Sequence, residues 1–153
     1  MRKRTTAGGF GRSILRVLVD TNVVLDVLLD RAPFADLSAR VLALVEQSRI
    51  EGFLCATTVT TLDYLLGQSL SRAAARRALR TLLDLFEVAP VNRPILEQAL
   101  QSGLADYEDA VLAQSARLVG ADVIVSRNTA DFAKSPVPAL DPAGFLASLA
   151  AVD

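Results

Sequence analysis

The stretch Ile14-Leu15-Arg16-Val17-Leu18-Val19-Asp20 constrains this chain more than any other. An apolar run, interrupted by Arg16 alone, ends abruptly in a carboxylate that Thr21-Asn22 follow. A short continuous apolar run bounded by a polar turn reads as a strand buried on both faces, the kind found in parallel sheets covered by helices. In open parallel sheets, ligands collect just beyond the carboxyl ends of the strands. Asp20 is placed at such an end. A carboxylate abutting a buried strand needs a partner.

The same grammar repeats downstream. Val23–Leu29 continues as a short helix or turn, and Pro33 interrupts it. Asp36 to about Ser48 reads as a helix, with Leu37, Val41, Leu44 and Val45 on one face. Phe53–Ala56 reads as a second strand. Thr57-Thr58 is the expected cap of a helix carrying Leu62, Asp63, Leu65 and Leu66, with Gly67 as its expected stop. Ser71 opens a helix to about Leu85. Phe86–Val91 reads as a third strand, and Asn92 with Pro94 starts a helix ended by Gly103. Asp106 precedes a helix over Tyr107–Val119, closed by Gly120. Asp122–Val125 is a fourth buried strand, a short fifth is expected near Leu140, and Pro142 begins a terminal helix. Strands alternate with helices throughout. The expected fold is therefore α/β, a three-layer α/β/α sandwich with a mainly parallel central sheet of four to five strands. Residues 1–13, rich in Gly, Thr and basic side chains, are expected to form a flexible tail, with an alternative role as an arm on nucleic-acid backbone. Residues 14–150 are expected to form one domain, a size that 153 residues permit.

Composition removes several chemistries. The chain has no His, which excludes His-based triads, His general bases and the usual His-containing zinc sites. Its single Cys, Cys55, cannot form an internal disulfide and fits a reducing compartment. The charges balance, 16 Lys and Arg against 17 Asp and Glu, so any nucleic-acid contact must come from a local patch. No apolar run approaches the roughly 18 residues of a membrane span, and no apolar segment follows the basic start. A cytoplasmic protein with no membrane association is the expectation.

Acid–base or metal chemistry then has to run on carboxylates, and several are expected at one edge. Asp20 ends the first strand, Asp63 lies in the helix after the second, Asp106 and Asp109 begin the helix before the fourth, and Asp131 follows it. Carboxylates sharing a cleft repel one another unless a cation neutralises them. Oxygen-only ligands select a hard divalent ion, Mg²⁺ or Mn²⁺, which can activate water and offset charge on a phosphodiester. Each residue also has a plainer reading: Asp106 and Asp109 as a helix cap and its N3 partner, Asp63 as a solvated helix residue, Asp131 as a turn cap. Arg72, Arg76 and Arg80 recur at four-residue spacing, as a solvated helix face or as a face for RNA or a partner.

These residues resemble a family. Val19-Asp20-Thr21-Asn22-Val23-Val24-Leu25-Asp26, Asp106-Tyr107-Glu108-Asp109-Ala110 and Ile124-Val125-Ser126-Arg127-Asn128-Thr129-Ala130-Asp131-Phe132 are similar to motifs of the PIN domain, the metal-dependent nuclease fold that includes the VapC toxins of bacterial toxin–antitoxin pairs. The resemblance covers about residues 14 to 146. It implies an Mg²⁺- or Mn²⁺-dependent endoribonuclease, often a homodimer, blocked by an antitoxin. It implies Asp20, Asp106 and Asp109 as metal ligands, and Asp20, Asp63, Asp109 and Asp131 as the catalytic carboxylates. Thr21, Asn22, Ser126, Arg127 and Asn128 would support them. The chain departs from the family in having Asp63 where Glu is usual and the neutral Asn128 at the fourth acidic position. Those departures permit a second reading, a PIN scaffold that binds RNA or protein without cutting. A third, an aspartyl phosphotransfer domain, fits Asp20 but has Asn22 where one type needs a second Asp, lacks the acidic pair the other needs, and has only Lys134 as a downstream Lys.

Overall fold

Residues 14–152 are described by a computed structural model, and the expected flexible tail over 1–13 lies outside the described residues. Five strands, β1 (Arg16–Val19), β2 (Glu51–Cys55), β3 (Glu87–Ala89), β4 (Val123–Val125) and β5 (Ala139–Leu140), form one sheet. Every neighbouring pair is parallel, in the order β3-β2-β1-β4-β5. Among the described residues seven α-helices connect and cover it: α1 (Thr21–Leu28), α2 (Ala35–Glu46), α3 (Ala56–Ser69), α4 (Arg72–Leu85), α5 (Arg93–Leu100), α6 (Tyr107–Leu118) and α7 (Pro142–Val152), with one turn of 3-10 helix at Thr129–Phe132.

The layers follow from the two-residue period of a strand. Val17 and Val19 point to the face covered by α1, α2, α3, α4 and α7, where they meet Val24, Val41, Leu62, Leu82 and Phe145. Leu18 points the other way, to Leu112, Ala113 and Ala116 of α6, which in turn carries α5. The Val17, Leu18 and Val19 side chains are fully buried, and each such burial contributes roughly 1.5–3 kcal/mol. The result is the expected α/β/α sandwich.

Local capping chemistry sets the helix starts. Ser71 Oγ accepts from Ala74 N at 3.1 Å, Asn92 Oδ1 from Ile95 N at 3.2 Å and Asp106 Oδ1 from Asp109 N at 2.9 Å. Gly120, at φ 69°, turns the chain after α6. The expected limits of α3 need correction. It begins at Ala56 with Cys55 as its cap, and it runs through Gly67 to Ser69. Thr58 is turned into the core, where it meets Thr21 at 3.0 Å, so it is part of the helix body. Gly67 keeps a negative φ and faces open space, so nothing breaks the helix there.

The strand order makes β1 the switch point. The chain leaves it for β2 on one side, and β4 returns on the other. A crevice outside the carboxyl ends is the geometric consequence, and Asp20 stands at its centre. Among the described residues no helix is long and apolar enough to cross a membrane.

Candidate active site

Asp20 is pinned from both sides of that crevice. Its backbone N–H donates to Val125 O of β4 at 2.9 Å, and its side chain caps α1, Oδ1 accepting from Thr21 N at 2.8 Å. Oδ2 accepts from the buried Ser126 hydroxyl at 2.7 Å. The Ser126 oxygen accepts in turn from Asn128 N at 3.1 Å, and Asn22 Oδ1 accepts from Arg127 N at 3.3 Å. The Asn22 amide stands 3.5 Å from both Asp20 Oδ2 and Ser126 Oγ, at the limit of contact. The end of β1 and the end of β4 are thus stitched into one rim.

A second carboxylate locks that rim from beneath. Asp26, one turn after Asn22 on α1, has no solvent exposure. Its Oδ2 accepts from Arg127 Nε at 2.6 Å, and its Oδ1 from Arg127 Nη2 at 3.3 Å and Arg31 Nε at 2.9 Å. The Arg127 guanidinium also lies 4.1 Å above the centre of the Phe34 ring.

Four of the expected carboxylates share one electrostatic field. Burial is the main cause that raises the Asp20 carboxyl above its usual range; the bonds from Ser126 and Thr21 oppose it, and the charges of Asp106 and Asp131 add to it. For Asp109, burial and then the charges of Asp106, Asp20, Asp131 and Glu108 push the pKa up to about 7. Asp106 is exposed and caps α6, so the capping reading describes its hydrogen bond while its charge still acts on the site. Asp131 and Asn128 are exposed on the turn after β4.

Asp63 is not gathered into this set. Its carboxylate accepts from Arg76 Nε at 3.0 Å, bracing α3 against α4. With Arg76, Arg77 and Arg80 it lines a separate groove of about 640 Å³ floored by Val59, Leu79 and Leu83. Arg72 and Arg76 flank Asp63 again on the side nearer Gly67. Of the arginine row, Arg76 is therefore engaged in holding two helices together. Sequence reasoning did not single out Asp26, although a charge inside Val23-Val24-Leu25-Asp26-Val27-Leu28 was its signal. Nor did it find the core contact of Thr58, which it read as a cap, or the Phe34 ring under Arg127, for which no local signal exists.

The fit of a divalent cation can be tested on these residues. Among the described residues no group of three or more acidic or Cys side chains is already drawn together around a single point. Mg²⁺ needs no such cage, since it binds through one or two carboxylates and keeps several waters. Asp20 and Asp109 suit it, because a neighbouring cation would offset the burial and the like-charge repulsion that raise both carboxyls.

Comparison with known proteins bears on the same residues. The family model described as PIN domain matches residues 16–130. No curated protein sequence matches the chain. Among solved structures, VapBC2 from Rickettsia felis bound to a promoter DNA fragment is similar at 14% identity and TM-score 0.65, over 83% of this chain and 98% of that one. A Pyrobaculum aerophilum protein is similar at 22% identity and TM-score 0.62, over 97% and 99% of the two chains. VapC20 of Mycobacterium tuberculosis, described as a sarcin-ricin loop cleaving toxin, is similar at 16% identity and TM-score 0.58, over 71% and 86%. At these identities the likeness is one of fold.

Proposed function

This chain belongs to the PIN domain family, and from that premise we propose that it is a metal-dependent endoribonuclease that hydrolyses RNA phosphodiesters, the toxin of a type II toxin–antitoxin pair. The observation that carries the reading is the position of Asp20 and Asp109 in one acidic field at the carboxyl edge of the sheet, where burial and the charges of neighbouring carboxylates raise both. It works in the cytoplasm as a homodimer, and a cognate antitoxin covers the acidic rim.

Asp20 and Asp109 are the residues that would hold Mg²⁺ or Mn²⁺, with Asp106 and Asp131 adding negative charge around them. When bound, the cation supplies charge neutralisation for the phosphodiester and an activated water. The chain's own contribution is orientation. Ser126 and the Thr21 N–H each hold one oxygen of Asp20 in place, which fixes the carboxylate before substrate arrives. The Asp26–Arg127 pair keeps the 126–128 segment against Asn22, so Ser126 stays within reach. Asn128, exposed at the rim, offers an uncharged amide to substrate or solvent.

The test is cleavage of a mixed RNA pool with Mg²⁺ or Mn²⁺, with a chelator control, for wild type and Asp20→Asn. Metal-dependent cleavage by wild type and none by the variant is the expected result. Equal cleavage by both would refute the assignment of the site. No cleavage by either would select the second reading, a PIN-fold module that binds RNA or protein without cutting. The neutral Asn128 and the engagement of Asp63 by Arg76 favour that alternative.

A further inference from the structure

A cavity of about 220 Å³ opens beside the acidic rim. Phe34, Leu37 and Ser38 line it from the start of α2, Asp141 and Pro142 from the start of α7, and Arg127 forms its wall toward the site. Arg127 sits between Ser126, which bonds Asp20, and Asn128. Arg127 thus joins the cavity wall to the segment whose Ser126 holds Asp20.

Its chemistry is that of a flat, partly polar slot. Phe34 is 41% exposed and Leu37 36% exposed, while the Phe34 ring carries the Arg127 guanidinium at 4.1 Å. Asp26 grips that guanidinium in a fork, at 2.6 and 3.3 Å, and so fixes its plane. Ser38 is fully buried, and among the described residues its hydroxyl has no hydrogen-bond partner. A buried hydroxyl without a partner is costly unless something completes it.

We infer that this cavity receives one unstacked base of a single-stranded RNA, the base that flanks the phosphodiester held at Asp20 and Asp109. The inference rests on the nuclease reading above and adds a subsite to it. Single-stranded RNA is read by stacking splayed bases on aromatic rings and on arginine planes, and by hydrogen bonds to their edges. Phe34 and Arg127 supply the planes, and Asp141, whose Oδ1 accepts from Gly144 N at 2.7 Å, has its other oxygen for an edge. The volume lies below the roughly 300 Å³ at which pockets for drug-sized ligands begin, which suits a single ring system. A phosphate is a poor occupant. The Asp141 carboxylate lines the same space, and the Arg127 guanidinium is already held in a fork by Asp26.

The experiment measures binding of a labelled single-stranded RNA oligonucleotide by fluorescence anisotropy, in Mg²⁺, using the Asp20→Asn protein so that the RNA stays intact. A series of oligonucleotides carries one abasic nucleotide at successive positions. Each is measured with and without Phe34→Ala, and with Phe34→Trp as the conservative replacement. Thermal unfolding checks that each variant is folded, and sedimentation gives its oligomeric state. At one position the abasic nucleotide should weaken binding about ten-fold or more. Phe34→Ala should cause a similar loss, the two losses should not add, and Phe34→Trp should retain binding. Abasic losses that are the same with and without Phe34→Ala overturn the subsite and leave the nuclease reading standing. So does a Phe34→Ala protein that binds RNA normally but falls from dimer to monomer, which would assign this face to self-association. Absence of RNA binding by every folded protein overturns the subsite together with the nuclease reading.

Discussion

At Asp109, burial and four neighbouring carboxylates push the carboxyl from an ordinary 3.8 to about 7. A raised pKa means that the folded state keeps a proton the unfolded chain has already lost. Without a cation, the contribution of Asp109 to stability is therefore present below about pH 4 and is lost as pH rises toward 7. Asp109→Asn should match wild type in Tm at pH 4, and its advantage should grow through that window when both are measured in chelator. Mg²⁺ should raise the wild-type Tm more at pH 8 than at pH 5, and Asp109→Asn should lose most of that gain. Equal Mg²⁺ shifts in the two proteins would remove Asp109 from the ligand set. Asp26 is a buried carboxylate with its counter-charges in place. Asp26→Ala leaves Arg127 and Arg31 without their shared partner and should cost roughly 3 kcal/mol in urea unfolding. A loss under about 1 kcal/mol would mean that both arginines find water at little cost.

α1 illustrates how one short element serves several contacts. Asp20 caps it, Asn22 meets the backbone of the 126–128 segment, and Asp26 meets the Arg127 side chain from one turn further along. The four-residue spacing of Asn22 and Asp26 puts both on the face toward β4. Its other face supplies Val23, Val24 and Leu25 to the core. β2 has a matching constraint at Gly52, where an added Cβ would stand 2.8 Å from the Phe86 ring and from Val45. All three groups are buried, so neither neighbour can swing into solvent. Gly52→Ala should destabilise the protein by about 1–3 kcal/mol through overpacking, read as a lower urea midpoint at unchanged slope. An unchanged midpoint would show that Phe86 moves freely.

For the whole molecule, the sheet order is what builds a site. With β1 between β2 and β4, the ends of β1 and β4 lie side by side, and α6 brings Asp106 and Asp109 to the same edge. The surface of α5 and α6 carries several exposed apolar side chains. Leu100 is 74% exposed and Leu118 52% exposed, and Leu96 and Tyr107 also reach solvent. Large exposed apolar patches mark partner sites, and these side chains on α5 and α6 are the candidates for one, so sedimentation equilibrium at micromolar concentration should give twice the chain mass. A monomer there would refute the homodimer and leave those residues for another partner.

Much of this was legible in the chain itself. The strand at Arg16–Val19 and its terminal Asp20, the caps Ser71, Asn92 and Asp106, the turn at Gly120 and the alternation of strands with helices all depend on neighbours within a few residues. Local sterics, capping bonds and hydrophobic period suffice to set them. The Thr57-Thr58 cap and the Gly67 stop failed for the same reason in reverse: Thr58 found a core partner 37 residues away, and nothing packed on Gly67 to break its helix. The fate of each carboxylate was decided only in three dimensions. Asp26 met Arg127 across 101 residues, Asp63 met Arg76 across a helix pair, and Asp20 met Ser126 across 106 residues. Charge–charge energies depend on distance and burial, and neither exists until the sheet has been ordered and the helices have docked.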